Sequence, residues 1–242
     1  MKLTHRLQAV ADFVKPGAVV ADIGTDHGYL AVYLTKNNIC PCVYASDVNQ
    51  GPLNSAKEQV NLHGLSQRIE LVLSHGADQL LNFPVDQVVL AGMGGGLMAE
   101  IMDKHPAFFQ GLDSVVLQPM TGQVDLRKFL VQKGYTFIDE CLALEKHRLY
   151  QIWLVSYGQE PEPPWVEVEW HLGRRMLEKG HPLLPELMDR EEKKWQTILT
   201  QCEHKSTDEV RQRWQEAATV LKALKEVKQL DHLQRYFTDH RQ

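Results

Sequence analysis

The chain has 242 residues, 43% hydrophobic and 24% charged, with a formal net charge of -5. That composition suits a globular protein with one sizeable α/β domain and a smaller second unit, and it excludes the overall basic footprint of many nucleic-acid binders, so any such partner must meet a local patch. No apolar run approaches a membrane span, MKLTHRLQAVADFVKPG at the start carries charges inside its apolar pattern, and Cys40, Cys42, Cys141 and Cys202 are too few and scattered for a disulfide framework.

A cytoplasmic protein with reduced thiols, free of the membrane, is therefore expected. Cys40-Pro41-Cys42 has no second Cys/His pair at ligand spacing, so no metal is expected.

Up to Tyr157, short β-branched runs alternate with helical patterns, the signature of a parallel sheet covered by helices. Strands are predicted at Val19–Asp22, Val43–Asp47, Ile69–Leu73, Gln87–Ala91, Val115–Gln118, Tyr135–Leu144 and Leu149–Val155. Helix-length crossovers, such as Pro52–Leu62 and Leu97–Met102, make the first five parallel. Only EKHR separates the last two, so they form a hairpin and the last strand runs antiparallel.

The Pro-rich, acidic stretch Gly158 to Pro164 reads as a linker, dividing the chain into residues 1–157 and 158–242. Beyond it, Leu184, Met188, Glu191, Trp195, Ile198 and Cys202 form one helical seam, and Val210, Trp214, Ala217, Leu221 and Leu224 a second. Ser206 and Glu209 read as a capping box opening the second helix. The expected product is a coiled-coil-like antiparallel hairpin with Trp195 and Trp214 in its core. The seams can close within one chain, giving a monomer, or between two, giving a weak dimer.

In open α/β sheets ligands bind outside the carboxyl ends of the strands, so chemistry should gather in the loops there. The first loop is Gly24-Thr25-Asp26-His27-Gly28. Asp26 would repel a pyrophosphate at the following helix, but would welcome the ammonium of S-adenosylmethionine, a cofactor with a sulfonium and no phosphates. The alternative is that Asp26 caps the helix. In the second loop, Asp47 ends a strand about one βαβ unit later, where an acid accepts from both ribose hydroxyls or else caps the helix that follows.

His75 and Gly76 of the third loop would line an adenine, or His75 serves the structure alone. Gly92, Gly94, Gly95 and Gly96 of the fourth leave backbone open to a close ligand; a P-loop lysine is missing, since Leu97 stands there. Gln118 before Pro119 in the fifth can read a base edge or satisfy loop backbone.

Five such loops and a terminal hairpin resemble a class I S-adenosylmethionine-dependent methyltransferase with a Rossmann-like sheet. More narrowly, ADIGTDHGYL, SDVNQGPL, GMGG, LQP and DLRKFLVQKGY, with the helical tail, resemble the bacterial tRNA adenine-22 N1-methyltransferase family, TrmK, over essentially the whole chain. The resemblance implies cofactor binding by Asp22, Gly24, Thr25, Asp26 and His27, by Asp47 and Val48, by His75 and Gly76 near the adenine, and by Gly92, Met93 and Gly94 near the methionine end. S-adenosylhomocysteine would be the product. The chain departs from the family at His75, usually a small acid or amide, and at Met120, commonly an Asn.

The implied reaction is in-line attack of adenine N1 on the sulfonium methyl, in which the neutral ring nitrogen needs no obligatory base. N1 lies on the Watson-Crick edge, so the base must be flipped out. His27, Tyr29, Gly92, Gly94 and Gln118 are the catalytic candidates, and Arg6, His27 and Tyr29 would hold the base. Lys205, Arg211 and Arg213 in the helical tail would grip tRNA, although charges so spaced also suit a solvated helix face. The competing functions are methylation of another RNA, a protein or a small molecule, and a non-catalytic RNA-binding module.

Overall fold

The structure is a computed structural model that describes residues 1–158, 163–202 and 207–229. The chain divides into two compact units, Met1–Pro161 and Glu162–Gln242. No described helix is long and apolar enough to cross a membrane.

The first unit runs α1 (His5–Ala11), β1 (Val20–Ile23), α2 (Tyr29–Lys36), β2 (Val43–Asp47), α3 (Gln50–Leu62), β3 (Ile69–Leu73), β4 (Gln87–Met93), α4 (Gly95–Lys104), α5 (Pro106–Gln110), β5 (Ser114–Pro119), α6 (Gln123–Gln132), β6 (Tyr135–Glu145) and β7 (Arg148–Tyr157). The strands form one sheet in the order β3-β2-β1-β4-β5-β7-β6. β1 to β5 pair in parallel with one another, and β7 runs antiparallel between β5 and β6. The strand order reverses beside β1, where a parallel sheet opens its crevice.

Alternate residues of the central strands face opposite layers, and both sets are buried. Val20, Val89 and Val116 join a core with Val10 of α1 and Leu30, Ala31 and Leu34 of α2. Ala21, Val88, Leu90, Val115 and Leu117 are equally buried, as are Met98 and Met102 of α4 and Leu126 and Leu130 of α6. A sheet covered on both faces explains why these strands are continuous apolar runs.

The expected alternation of strand and helix fails between β3 and β4, where residues 74–86 hold no helix. Gly76 is left-handed at φ 62, Pro84 comes near the end, and the segment folds through successive short turns, Leu80 N–H to the Ala77 carbonyl and Phe83 N–H to the Leu80 carbonyl.

Behind the sheet's last strands, Arg127 of α6 is fully buried and pairs with Glu140 and Gln151. Its guanidinium lies over the rings of Trp153 and Phe137, so the charge is both neutralised and sandwiched.

The second unit holds α7 (Glu167–Leu172), α8 (Arg174–Glu178), α9 (Leu184–Cys202) and α10 (Asp208–Lys228). Lys228 at the end of α10 bonds Asp189 and Glu192 near the start of α9, so these two helices are antiparallel. Leu184, Leu187, Met188 and Trp195 face Ala217, Val220, Leu221, Leu224 and Val227 as the buried seam. Trp214, expected in the core, is 41% exposed. The first turns of α10 are solvated and the packed seam begins only at Ala217.

The capping box is also revised. Thr207 is the N-cap, its hydroxyl accepting from the Val210 N–H at 3.4 Å, and Ser206 lies outside the described residues. Arg174 is buried in a two-pronged pair with Glu169 at 3.0 and 2.7 Å, its guanidinium 4.7 Å from the Trp165 ring.

Candidate active site

The crevice is built at the carboxyl ends of β1, β2 and β4. Gly24, at φ 79, lets the chain turn off β1, and its N–H and that of Thr25 donate to the Ser46 carbonyl at the end of β2. A Cβ on Gly24 would lie 2.9 Å from the Met93 methyl, the movable end of a flexible side chain, so it is the positive φ that calls for glycine here. Gly28, not Asp26, is the N-cap of α2, and no side chain caps that helix. The carboxylate of Asp26, at a strained φ of 54, is thereby free of a structural task and stays exposed.

Asp47 does not cap α3 either, since Asn49 holds that place without a side-chain bond. One Asp47 oxygen accepts the Asn49 N–H at 2.9 Å and the other the Asp26 N–H at 3.3 Å. The carboxylate is thus fixed in the plane of the crevice, with a lone pair to spare on each oxygen.

Asp22, one step inside β1, is 4% exposed and accepts the Thr25 hydroxyl at 2.7 Å. Burial pushes its carboxyl up to about 6; the Thr25 hydrogen bond works against that rise and the charge of Asp47 adds to it. Asp22 and Asp47 therefore lie together at the crevice with Asp26 in the loop beside them, and the strand and loop from Val20 to Gly28 contain no lysine or arginine. Carboxylates so placed disfavour a pyrophosphate beside the first loop and favour a cationic group there.

His27 and Tyr29 stand at the mouth, their rings 5.5 Å apart and tilted; Tyr29 is 41% exposed and His27 Nε2 lies 3.6 Å from the Asp26 carboxylate. His75 and Gly76 line a small cavity of about 120 Å³ with Ala77, Leu97, Ile101 and Lys104. Val48 is exposed beside Asp47. A larger groove, about 640 Å³, follows α3 and β3 and includes none of the crevice residues named above.

The glycine cluster divides into different tasks. Gly92, at φ 80, interrupts the ladder between β4 and β5, which is regular on Ala91 and Gln118 and resumes at Met93 and Pro119. This bulge leaves main chain exposed at the end of β4. Gly94 is the N-cap of α4. Gly95 serves packing: a Cβ there would sit 2.7 Å from the Gly122 carbonyl and 2.9 Å from that of Thr121, whereas one on Gly96 would meet nothing.

Of the two readings of Gln118, the geometry favours service to the loop backbone: the side chain is fully buried, its Nε2 donates to the Pro119 carbonyl at 3.2 Å, and its Oε1 accepts from Arg6 at 2.7 Å. The Arg6 Nη1 lies 3.4 Å from where a Gly92 Cβ would stand, which places the guanidinium over the bulge. The contact joins residues 112 apart in sequence, and no local pattern announces it.

Of the helical-unit candidates, Arg211 and Arg213 are exposed on α10, Arg211 pairing loosely with Asp208. Lys205 lies outside the described residues. Among the described residues, no His, Cys, Asp and Glu side chains gather as a metal site would require.

Residues 3–153 match the methyltransferase domain family. A Bacillus subtilis protein named tRNA (adenine(22)-N(1))-methyltransferase is 30% identical over 236 residues, covering 96% of this chain and 98% of that protein. The chain belongs to the TrmK family. The crystal structure of the Bacillus subtilis M1A22 tRNA methyltransferase TrmK superposes with a TM-score of 0.85 at 30% identity, covering 93% of this chain and 98% of that one. A Streptococcus pneumoniae relative, solved in complex with S-adenosyl-L-methionine, gives 0.79 at 27% identity over 91% of this chain and 100% of that chain. TrmK kinship thus extends over both units, beyond the methyltransferase domain alone.

Proposed function

We propose that this chain transfers a methyl group from S-adenosylmethionine to N1 of adenine 22 of tRNA. Full-length kinship supports the acceptor, and the observation that carries the cofactor is the acidic loop pair of Asp22, Asp26 and Asp47 at the ends of β1 and β2. When bound, the cofactor supplies an electrophilic methyl on a sulfonium.

Asp47 holds the ribose hydroxyls with its two spare lone pairs, and Asp26 and Asp22 face the ammonium end. Gly24, Gly92, Met93 and Gly94 bring main chain close without side-chain bulk. His75 and Gly76 border the adenine cavity. At the mouth, His27 and Tyr29 flank the flipped base and turn its N1 toward the bulge at Gly92. The neutral N1 bears no proton and attacks with its own lone pair, so the step needs no general base. Orientation supplies the rate. Arg211 and Arg213 of the helical unit contact the tRNA phosphates.

Incubation with labelled S-adenosylmethionine and unmodified tRNA, followed by mapping of the methylated nucleotide, tests the acceptor; label at another adenine, or none, would overturn it. His27→Ala and Tyr29→Phe should each slow single-turnover methylation at least tenfold. Unchanged rates in both would remove them from the base pocket.

A further inference from the structure

We infer that Arg6 is an oxyanion receptor of the transfer site and that Gln118 is the positioning residue that presents it; this rests on the methyltransferase reading of the crevice. The warrant is an arginine whose charge is unspent. Its guanidinium donates to the neutral Gln118 carboxamide at 2.7 Å and lies 5.7 Å from the Tyr150 ring centre. Among the described residues it makes no ion pair, whereas Arg127 and Arg174 each hold a carboxylate.

Glu145 is not its partner: that carboxylate accepts the Arg6 main-chain N–H at 3.2 Å and is held below the usual range first by the Thr4 hydroxyl, only then by Arg6 and His5. About four of the five guanidinium N–H donors remain for a ligand.

The presentation is fixed. Gln118 is buried, and its Nε2 bond to the Pro119 carbonyl leaves Oε1 facing Arg6. The guanidinium so held overhangs the Gly92 bulge, beside the proposed point of transfer.

Charge decides what it binds. Methylation at N1 leaves the adenine ring positively charged, so a guanidinium against the ring would oppose the reaction. An N–H aimed at N1 would also occupy the lone pair that must attack. A negatively charged oxygen beside the reacting atoms has neither defect and matches the planar fork. Two sources carry such oxygens: a phosphate flanking the flipped nucleotide and the carboxylate of the cofactor's amino-acid tail.

Arg6→Gln and Gln118→Leu, each compared with the unaltered protein, separate them. One arm is calorimetric titration with S-adenosylmethionine alone, the other tRNA binding as a function of salt. Arg6→Gln should weaken one of the two by about 10- to 100-fold, as expected for loss of a charged hydrogen bond; Arg6→Lys should recover only part, because an ammonium lacks the fork.

Loss of tRNA affinity, with the slope of log K against log salt shrinking by about 0.7 to 0.9, assigns a phosphate. Loss of cofactor affinity with the salt slope unchanged assigns the carboxylate. Gln118→Leu should reproduce part of whichever loss is seen. Arg6→Gln within twofold of the unaltered protein in both arms would overturn the inference. Failure of the underlying reading looks different, since the unaltered protein would then bind no S-adenosylmethionine.

Discussion

Arg127 and Arg174, one in each unit, are fully buried and each clasps a carboxylate, whereas at the crevice the side chains of Asp22 and Arg6 bond a hydroxyl and a carboxamide and, among the described residues, make no ion pair. The first pair of sites neutralises its charges internally and so serves the fold. The second holds charge in reserve, at a cost in stability, for something that is not part of the chain.

Six substitutions probe that contrast, beginning with the largest effect. Glu140→Ala strands a buried guanidinium and should lower stability by about 3–5 kcal/mol, visible as a drop of roughly 10 °C or more in Tm. A loss below about 1 kcal/mol would show that the pair does not carry the region.

Asp22→Asn should act in the opposite direction, raising stability at neutral pH by up to about 3 kcal/mol while weakening S-adenosylmethionine binding. The sign follows from the raised carboxyl: the folded state holds its proton up to about 6, the unfolded state releases it near 3.8. Stability from this group is fully present below the lower value, falls as pH rises between the two, and is flat above. Urea titrations across that range should show the decline in the unaltered protein and its loss in the variant.

Smaller effects separate neighbouring glycines. Gly95→Ala should cost about 1–3 kcal/mol by forcing a methyl against two carbonyls, while Gly96→Ala, facing open space in a helix, should gain roughly 0.5–1 kcal/mol. Equal outcomes in denaturant melts would erase the division of labour within the cluster. Smallest in stability is the pair Arg211→Ala and Arg213→Ala, within about 0.5 kcal/mol, yet both should weaken tRNA binding in filter-retention assays at low salt.

What the sequence made legible was local. β2 and β3 follow their β-branched runs, and the four residues between Leu144 and Leu149 suffice to demand a hairpin. Asp47 and Gly24 stand out because strand ends in a parallel sheet collect function. The hidden parts depend on contacts distant in sequence. Nothing near Gln118 announces that a side chain from α1 will occupy it. A heptad pattern gives the face of α10 but not where along it packing starts, so Trp214 was assigned to a core it does not reach. Likewise, the segment after β3 has the length of a helix, but Gly76 and Pro84 favour turns.

The insertion of β7 between β5 and β6 has a consequence for how the protein is made. β6 leaves the ribosome before β7, yet among the described strands β7 is its only neighbour. The β7-facing edge of β5 is therefore covered by a strand synthesised three elements later, which also pairs with β6. A nascent chain that ended before Arg148 would therefore carry an unpaired edge on β5.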